Sequence, residues 1–391
     1  MAYSTEAIRN ALNIVRGAVA KDGALVPTLM HVTFHKGRAV AFDGRVTIST
    51  PCPTDLSLTL PGKPLCALFA QVEGEETIID ASGRSGAVCV RVGARQVTFP
   101  TGQVVESLTT CPVGAWDGVN SAISRPTAGK RPAPATTTRP KPGKPATGPQ
   151  AGAQEPTKTP EIVRCNKNEG ILDVLRTLRP FVGVDVSGGR EWGASVLIAG
   201  SLVYATNNVT LIEADWPLKS ARRYAIPVTA IDELLRINIE PTHMALDDSA
   251  ITFLLPDATW IRAQLVDATK WPDVKRVIDA PRAARHMPLP DNLHTVVAEL
   301  LPFCPDAQLP IVVLHDGMVT TTEGAISGKT TVKGLRVGGK DTALRFYGET
   351  LLPVLAVATH MTFGTYPRVG FSAVNDDGSV NVFGVVLGIL S

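Results

Sequence analysis

The stretch SVLIAGSLVYATNNVTLIEA, residues 195–214, is the most informative about the fold, because its pattern occurs three times in the chain. Apolar and polar residues alternate on both sides of a short glycine-containing turn, which predicts two antiparallel strands with one buried face. Comparable stretches begin at residues 31 and 311, with the sequences HVTFHKGRAVAFDGRVTIST and IVVLHDGMVTTTEGAISGKT. The sequence therefore predicts three similar units.

Two amphipathic helices are predicted in each unit. The first helix precedes the strands, and its apolar stripe is formed by Ile8, Leu12, Val15 and Val19, by Ile171, Leu175 and Leu178, and by Val296, Val297, Leu300 and Leu301. The second helix is predicted around Leu65–Val72, Thr229–Ile237 and Glu349–Ala358, and another hairpin follows it. A repeat this long excludes a solenoid of small units, so the predicted fold class is α+β, with two helices packed on antiparallel sheet in each of three repeated domains.

A proline-rich segment divides the first unit from the second. Arg125–Pro160 contains nine prolines and seven Lys or Arg against one acid, and almost no large apolar residue. Such a segment buries too little surface to offset the entropy of ordering, which predicts a flexible linker. The predicted domains are therefore residues 1–124, 161–281 and 282–391. The basic linker is either a spacer or a transient contact for phosphates.

The bulk composition is that of a soluble globular protein. The chain has 391 residues, 44% hydrophobic and 19% charged, with a formal net charge of +2. We expect a cytoplasmic protein without membrane contact, because no apolar run reaches the length of a bilayer span and Met1–Ala20 lacks a signal-peptide core. The six cysteines are far apart and form no CxxC pair, which predicts reduced thiols and neither a disulfide framework nor a zinc site.

Signatures of catalysis and of cofactor binding are weak throughout. Gly324–Thr331 lacks the first glycine of a phosphate loop, and Gly183–Gly193 lacks the spacing of a dinucleotide site. His31 and His35 lie in an alternating strand, where their spacing suits one metal ion poorly. Asp247-Asp248 and Asp376-Asp377 are typical of hairpin turns. The sequence therefore predicts a protein that is not an enzyme and needs no metal or cofactor.

Four stretches resemble the bacterial DNA sliding clamp, the beta subunit of DNA polymerase III. They are ATNNVTLIEA at residues 205–214, IPVTAIDELLRI at 226–237, AQLVDATKWPDVKRVI at 263–278 and the C-terminal GVVLGILS. The third contains the Trp-Pro-Asp and Arg-Val pairs of that family's motif. The long basic linker departs from the family, and a divergent bacteriophage-encoded member, acting in a bacterial or phage-infected cell, would accommodate it.

This resemblance implies a polymerase processivity factor that acts in DNA replication. Three clamp domains are half of a six-domain ring, so a head-to-tail homodimer is implied, with sheets outside and helices lining the pore. Such a ring encircles double-stranded DNA without reading its sequence and tethers the replicative polymerase. Two alternatives stay open: a repeat-built β-rich binding or virion structural protein that does not encircle DNA, and a nuclease that uses Asp247 or Asp376.

Basic residues on the predicted helices are the candidates for facing DNA. Long cations can meet phosphates through water without base readout, which permits sliding. The alternative is that these residues belong to ordinary solvated helix faces. The candidates are Arg9, Arg16, Lys21, Lys63, Arg176, Arg179 and Arg236.

The family also has an apolar cleft between its second and third domains, which receives short peptide motifs from polymerases and the clamp loader. Two residues depart from the family pattern, since Asn208 stands where glycine is usual and Thr210 where a basic residue is usual. The alternative is that the matching positions are plain core residues. The residues carried over to this cleft are Thr206, Asn208, Leu211, Pro272, Val277, Val385 and Leu387.

Overall fold

The computed structural model describes residues 2–21, 26–71, 76–80, 86–102, 104, 111, 160–165, 170–184, 190–322, 324, 327–338, 342–375 and 377–390. The described α-helices are α1 Thr5–Val15, α2 Gly62–Ala70, α3 Ile171–Leu178, α4 Val228–Ile237, α5 Val274–Ala283, α6 Leu293–Leu300 and α7 Gly348–Val357. No helix in this part of the chain is long and apolar enough to span a membrane. The predicted linker lies outside the described residues, except for Pro160.

Strands occupy most of the remaining described chain. In the first unit they are β1 Ala2–Ser4, β2 His31–His35, β3 Arg38–Phe42, β4 Val46–Pro51, β5 Leu58–Pro61, β6 Glu76–Asp80, β7 Ala87–Val92 and β8 Arg95–Pro100. In the second they are β9 Glu161–Arg164, β10 Ser195–Ala199, β11 Leu202–Thr206, β12 Thr210–Asp215, β13 Tyr224–Pro227, β14 His243–Leu246, β15 Ala250–Leu254 and β16 Trp260–Gln264. In the third they are β17 Met287–Pro288, β18 Ile311–His315, β19 Met318–Thr321, β20 Lys329–Thr331, β21 Leu344–Tyr347, β22 His360–Thr362, β23 Arg368–Val374 and β24 Val380–Leu387.

These strands form four antiparallel sheets, two of which are shared between units. One eight-stranded sheet has the order β5-β2-β3-β4-β16-β15-β14-β9 and joins the first unit to the second. The other has the order β13-β10-β11-β12-β24-β23-β22-β17 and joins the second unit to the third. We call the β4–β16 pairing the first junction and the β12–β24 pairing the second junction.

The two remaining sheets have four strands each and lie at the two ends of the chain. Their orders are β1-β6-β7-β8 in the first unit and β20-β19-β18-β21 in the third. In the repeat, β8 corresponds to β16 and β24, and β20 corresponds to β4 and β12, which pair with each other across the two junctions. β8 and β20 are edge strands of their own sheets. Each therefore has an outer edge without a strand partner among the described residues.

The helices pack on one face of the sheets because their apolar residues recur at helical spacing. In α1, Ile8, Leu12 and Val15 are buried, and the Ser4 hydroxyl accepts a bond from the Ala7 N–H at 3.3 Å, which caps the helix start. α1 packs against α2, α3 against α4, and α6 against α7. Strand residues of alternate positions complete one continuous core with these helices.

The predicted α+β fold with three repeated units is confirmed. Each unit has the expected pair of helices, and each quoted hairpin stretch forms paired strands. The helix α5 was not anticipated, and it runs through residue 281, where the boundary between the second and third domains was predicted. The described cysteines form no disulfide, and Cys52, Cys165 and Cys304 are buried.

Candidate functional site

The candidate site lies at the second junction, on the sheet face opposite the paired helices. Here α5 crosses β23 and β24 and covers a separate cluster of buried residues. Val274 and Ile278 of α5 contribute to this cluster, together with Leu211 of β12 and Val385 of β24. We call this side of the sheet the α5 face. Its apolar residues alternate along each strand with those of the main core, since successive side chains point to opposite faces.

A cavity of about 230 Å³ opens beside the start of α5, and we call it the anchor pocket. All seven residues that were predicted for the cleft line it: Thr206, Asn208, Leu211, Pro272, Val277, Val385 and Leu387. They come from the β11–β12 hairpin, from the segment around α5 and from the end of β24, so three distant parts of the sequence meet here. Their role in binding a partner stays a prediction.

The β11–β12 hairpin is fixed by its own polar side chains. The Asn207 carboxamide oxygen accepts bonds from the Val209 and Thr210 N–H groups at 3.1 and 2.7 Å. The Thr206 hydroxyl donates to the Thr210 carbonyl at 2.7 Å and accepts from the Asn208 N–H at 3.1 Å. Asn208 has a φ of 72°, in the left-handed region that glycine and asparagine tolerate. The departure from glycine at this position is therefore compatible with the same turn.

The segment before α5 forms the second wall of the anchor pocket. The Trp271 indole N–H donates to the Ser195 hydroxyl at 3.1 Å, and the ring lies 5.5 Å from that of Trp192. Trp271 is buried, and the exposed Pro272 follows it at the pocket rim. The tryptophan thus anchors the segment, and the proline presents a rigid apolar surface.

The end of the chain forms the third wall. The Leu387 N–H donates to the Val209 carbonyl at 2.9 Å, and the Gly388 N–H donates to the Pro367 carbonyl at 2.7 Å. The Ile389 N–H then donates to the Arg345 carbonyl at 2.8 Å. These bonds hold the tail in place, while the Leu387 side chain stays 37% exposed beside the pocket. An apolar side chain in this position is available for a partner.

Five further residues line the anchor pocket: Trp192, Val209, Thr210, Val274 and Arg368. Of these, only Thr210 was considered from the sequence. Arg368 is the one charged residue among the described lining, and it is exposed. The Thr210 hydroxyl is buried without a hydrogen-bond partner in the described chain. No local pattern connects Trp192 or Arg368 with the pocket, since each reaches it only through folding. The surface suits an apolar side chain with a polar or anionic neighbour.

Chemistry other than binding finds little support in the described residues. They contain no group of three or more His, Cys, Asp or Glu placed to hold a metal ion. Asp247 accepts bonds from the Ser249 and Ala250 N–H groups and from Arg262. Burial raises the pKa of the Asp247 carboxyl, but these bonds outweigh burial and the pKa is lowered. Asp247 is thus a turn residue with a structural ion pair, and Asp376 lies outside the described residues.

Three of the predicted DNA-facing cations are exposed. Arg16 follows the end of α1, Lys21 lies a few residues later, and Lys63 lies in the first turn of α2. Arg9 of α1 is half-buried, and its Nε donates to the Phe69 carbonyl at 3.0 Å. These four residues all belong to the helix side of the first unit.

The three cations of the second unit are engaged with neighbouring groups. Arg176 pairs with Asp173, and the Arg179 Nη2 donates to Asp232 at 3.1 Å. Their side chains remain 46% and 30% exposed. Both guanidinium groups are therefore partly neutralised but still reach the surface.

Arg236 is placed differently from the other candidates. Its guanidinium bridges to Glu233 at 2.7 Å and donates to the Asn13 and Ile14 carbonyls at 2.7 and 2.5 Å. These carbonyls lie at the C-terminal end of α1, where the last acceptors of a helix lack partners within it. Arg236 thus caps a helix of the first unit from the second unit. Its side chain is still 27% exposed, and a role at a DNA-facing surface stays a prediction.

Comparisons with known proteins show to which solved structures the chain is similar. No family model and no curated protein matches it. The DNA polymerase sliding clamp of Caulobacter crescentus matches with a TM-score of 0.72 and 15% identity, over 100% of this chain and 99% of that chain. The clamp of Pseudomonas aeruginosa, solved with a ligand, matches with a TM-score of 0.68 and 16% identity over the same shares.

The DNA polymerase III beta chain of Streptococcus pneumoniae is also similar, with a TM-score of 0.69 and 12% identity over 100% of this chain and 99% of that chain. These likenesses extend over all three units, and identities this low concern the fold alone. The chain has the fold of the bacterial DNA polymerase sliding clamp.

Proposed function

We propose that this protein is a DNA sliding clamp, in which two copies form a closed ring around duplex DNA and hold a polymerase through the anchor pocket. One observation carries the proposal. Two of the three units share an eight-stranded sheet with the unit that follows, and the corresponding strands at the chain ends, β8 and β20, have a sheet edge without a strand partner among the described residues.

The repeat indicates what these edges pair with. β4 of the first unit pairs with β16 of the second, and β12 of the second pairs with β24 of the third. The same rule pairs β20 of one copy with β8 of another. Since each copy has both edges, two copies in head-to-tail arrangement use all of them and close a six-unit ring.

An exposed apolar residue, Phe303, lies where pairing of β20 with β8 of another copy would cover it. Phe181 follows α3, is 1% exposed, and stacks on Phe371 of the third unit with ring centroids 6.0 Å apart. Its counterpart Phe303 follows α6 in the same Pro-Phe sequence and is 48% exposed. Burial of an exposed Phe is favourable by about 1.5–3 kcal/mol, which supports a joint at this surface.

Enclosure explains how a weakly basic protein could retain DNA. The helices on one sheet face would line the hole, and Arg9, Arg16, Lys21 and Lys63, with Arg176 and Arg179, would meet phosphates through water. The whole chain carries only +2, so a tight electrostatic grip is not expected. A ring instead holds DNA by topology, and weak contacts allow it to slide.

The anchor pocket is the proposed site for peptide segments of the polymerase and the clamp loader. Its apolar walls suit a Leu or Phe anchor. The exposed Arg368 on the rim favours a partner that carries a carboxylate close to this anchor. The buried Thr210 hydroxyl could bond a peptide N–H or carbonyl group, which a purely apolar ligand would leave unsatisfied.

The oligomeric state tests the ring. Light scattering after size-exclusion chromatography should give twice the chain mass of 41.4 kDa, and electron-microscopic averages should show a central hole. Phe303→Glu should yield monomers that keep the wild-type circular dichroism spectrum. The control Leu390→Glu changes a residue that is 70% exposed outside the proposed joint, and it should stay dimeric.

Topological binding tests the function itself. A variant with Val97→Cys in β8 and Thr330→Cys in β20 is mixed with nicked circular plasmid and closed with a short thiol crosslinker. The closed ring should stay on the circle in high salt and be released when the plasmid is linearised. The wild type and each variant with only one of the two added cysteines should wash off. Monomers at every concentration, or retention that does not depend on plasmid topology, would instead favour a β-rich binding or structural protein.

A further inference from the structure

We propose that a second cavity on the α5 face binds an aromatic side chain of a partner protein. This cavity has a volume of about 390 Å³ and lies beside Arg282, at the end of α5 opposite the anchor pocket. We call it the Arg282 cavity. A single copy of the chain supplies all of its lining residues, so the cavity does not depend on ring closure.

The floor of the Arg282 cavity is apolar. Its apolar side chains are those of Val374 of β23 and Phe383 of β24. Ala214 and Val382 also line the cavity, but their side chains belong to the main core on the opposite face of the sheet. Phe383 is 5% exposed, so the surrounding packing fixes its position. A ligand in the cavity would therefore bury apolar surface against a preformed floor on the face of the sheet.

Arg282 forms one wall, and two neighbours fix its position. Its Nη2 donates to the Glu213 carboxylate at 2.6 Å, and its guanidinium carbon lies 4.6 Å from the centre of the Phe383 ring. The side chain of Glu213 is only 12% exposed, whereas that of Arg282 is 46% exposed. One edge and one face of the guanidinium are thus covered, and its exposed part lines the cavity.

Tyr204 lies opposite Glu213 in the pairing of β11 with β12. Burial raises the pKa of the Tyr204 hydroxyl, and the hydrogen bond to Glu213 and the charge of Glu213 raise it further. Tyr204 therefore remains a protonated donor at neutral pH. Glu213 lies on β12 and its side chain is only 12% exposed, so Arg282 has a fixed acceptor and a defined orientation.

An aromatic ring is the ligand that this geometry favours. A planar guanidinium that rests on one ring can take a second ring on its opposite face, where the cation interacts with the π electrons. The Asp215 and Asn381 side chains on the rim could accept the N–H of an indole or the hydroxyl of a phenol. The cavity is also larger than the anchor pocket, in keeping with a larger side chain.

Other ligand classes fit the Arg282 cavity less well. An anion would meet the Asp215 carboxylate on the rim, and Glu213 already neutralises Arg282. Burial lowers the pKa of His286, whose Nδ1 lies 3.1 Å from the Ser372 hydroxyl, so this wall is uncharged at neutral pH. The described residues also include no group of three ligands for a metal ion.

The position of the cavity indicates a protein partner. The anchor pocket uses β24 at residues 385–387, and the Arg282 cavity uses the same strand at residues 380–383. At about 3.3 Å per strand residue the two sites are roughly 15 Å apart. A partner that inserts one anchor beside Leu387 could therefore place an aromatic residue a few positions away beside Arg282.

The test measures binding of the probe N-acetyl-tryptophanamide to the full chain by saturation-transfer NMR. We expect saturable binding that Arg282→Lys, which keeps the charge but removes the planar face, weakens at least threefold. Arg285→Lys is the matched control, because Arg285 is exposed and does not line the cavity. Leu387→Ala should also leave this binding unchanged, which separates the Arg282 cavity from the anchor pocket.

Several outcomes would overturn the proposal. They are the absence of saturable binding, equal affinity for N-acetyl-leucinamide, competition by acetate, and no difference between Arg282→Lys and the wild type. The oligomeric state of Arg282→Lys, measured by light scattering, should equal that of the wild type. Failure of aromatic binding is therefore distinguishable from failure of the ring.

Discussion

The two junctions within the chain have the same backbone arrangement but different side chains. In the first junction the β3–β4 hairpin pairs Phe42 with Thr47, and Thr47 then faces Arg262 of β16. In the second junction the β11–β12 hairpin pairs Thr206 with Leu211, and Leu211 faces Val385 of β24. The repeat thus places a polar pair in one junction where the other has an apolar pair.

As a result, the first junction has a row of hydrogen-bonded polar side chains, which we call the polar seam, and the second junction has a pocket. Arg262 donates to Asp247 at 2.7 Å and to the Thr252 hydroxyl at 3.2 Å, and these bonds occupy the sheet face away from the helices. At the second junction the same face holds the buried cluster under α5, and the anchor pocket opens beside it. Backbone pairing therefore sets where units join, and side chains decide whether the joint can bind a partner.

The largest expected effect comes from placing valine at the equivalent strand position of both junctions. A Cβ on Gly384 would lie 2.1 Å from the Phe371 ring and 2.7 Å from the Leu211 carbonyl oxygen, so Gly384→Val forces the strands apart. We expect a loss of about 3 kcal/mol in the free energy of unfolding. Ile261→Val, at the matching position of the first junction, should cost about 1 kcal/mol. Urea unfolding measures both, and equal losses would contradict the difference in packing.

The next effect concerns affinity. Leu387→Ala should weaken binding of a short peptide with a Leu or Phe anchor by roughly 1–3 kcal/mol, because the exposed wall of the anchor pocket is removed. Titration calorimetry measures this, and Leu390→Ala is the control. At the first junction Gln264 holds the position of Leu387, and Gln264→Leu should not create a second binding site, since Arg262 fills the adjacent space. Unchanged affinity in Leu387→Ala would show that the pocket is misplaced.

A smaller effect is expected for the ion pair of the first junction. Arg262→Met should lower the free energy of unfolding by about 1 kcal/mol at pH 7, because a partly buried pair is broken. The pKa of Asp247 is lowered in the folded chain, so its stabilisation is present above the ordinary carboxyl pKa near 4 and is lost as the pH falls through the folded value. The difference in the free energy of unfolding between Arg262→Met and the wild type should therefore become smaller at low pH. A difference that grows at low pH would contradict the lowered pKa of Asp247. Arg276→Met, at an exposed position of α5, is the control.

The smallest effect is expected from exchanging the turn residues of the two hairpins. Asn208 has a φ of 72°, and Gly44, at the equivalent position of the first junction, has a φ of 97°. Asn208→Gly and Gly44→Asn should each change the free energy of unfolding by only a few tenths of a kcal/mol, because both residues tolerate the left-handed region. Asn208→Val should cost about 1 kcal/mol or more. A large loss in Asn208→Gly would mean that the asparagine side chain has a further role.

Much of the fold could be predicted from the sequence because the relevant patterns are local. Alternation at residues 195–214 and helical spacing at Ile8, Leu12 and Val15 report which face of a strand or helix is buried. The helix α5 was missed, because its segment Val274–Ala283 contains Pro281 and has few apolar residues. Its formation depends on packing against β23 and β24.

The candidate pocket was predicted from the family resemblance, which identified only part of its lining. The seven carried-over residues lie together, but Trp192 and Arg368 join them through contacts that no spacing in the sequence reports. Arg236 shows the opposite case. Its position on a helix beside other cations indicated a DNA-facing role, whereas the packing of α4 against the end of α1 gives it two carbonyl acceptors.

Three repeated α+β units follow from the sequence alone, because hydrophobic periodicity depends only on neighbouring residues and each unit repeats it. The tertiary structure decided which strands join the units, which strands remain at an edge, and which polar side chains are neutralised. These properties depend on distances between residues that are far apart in the chain. Two hairpins with nearly the same local pattern therefore became a polar seam in one junction and a pocket in the other.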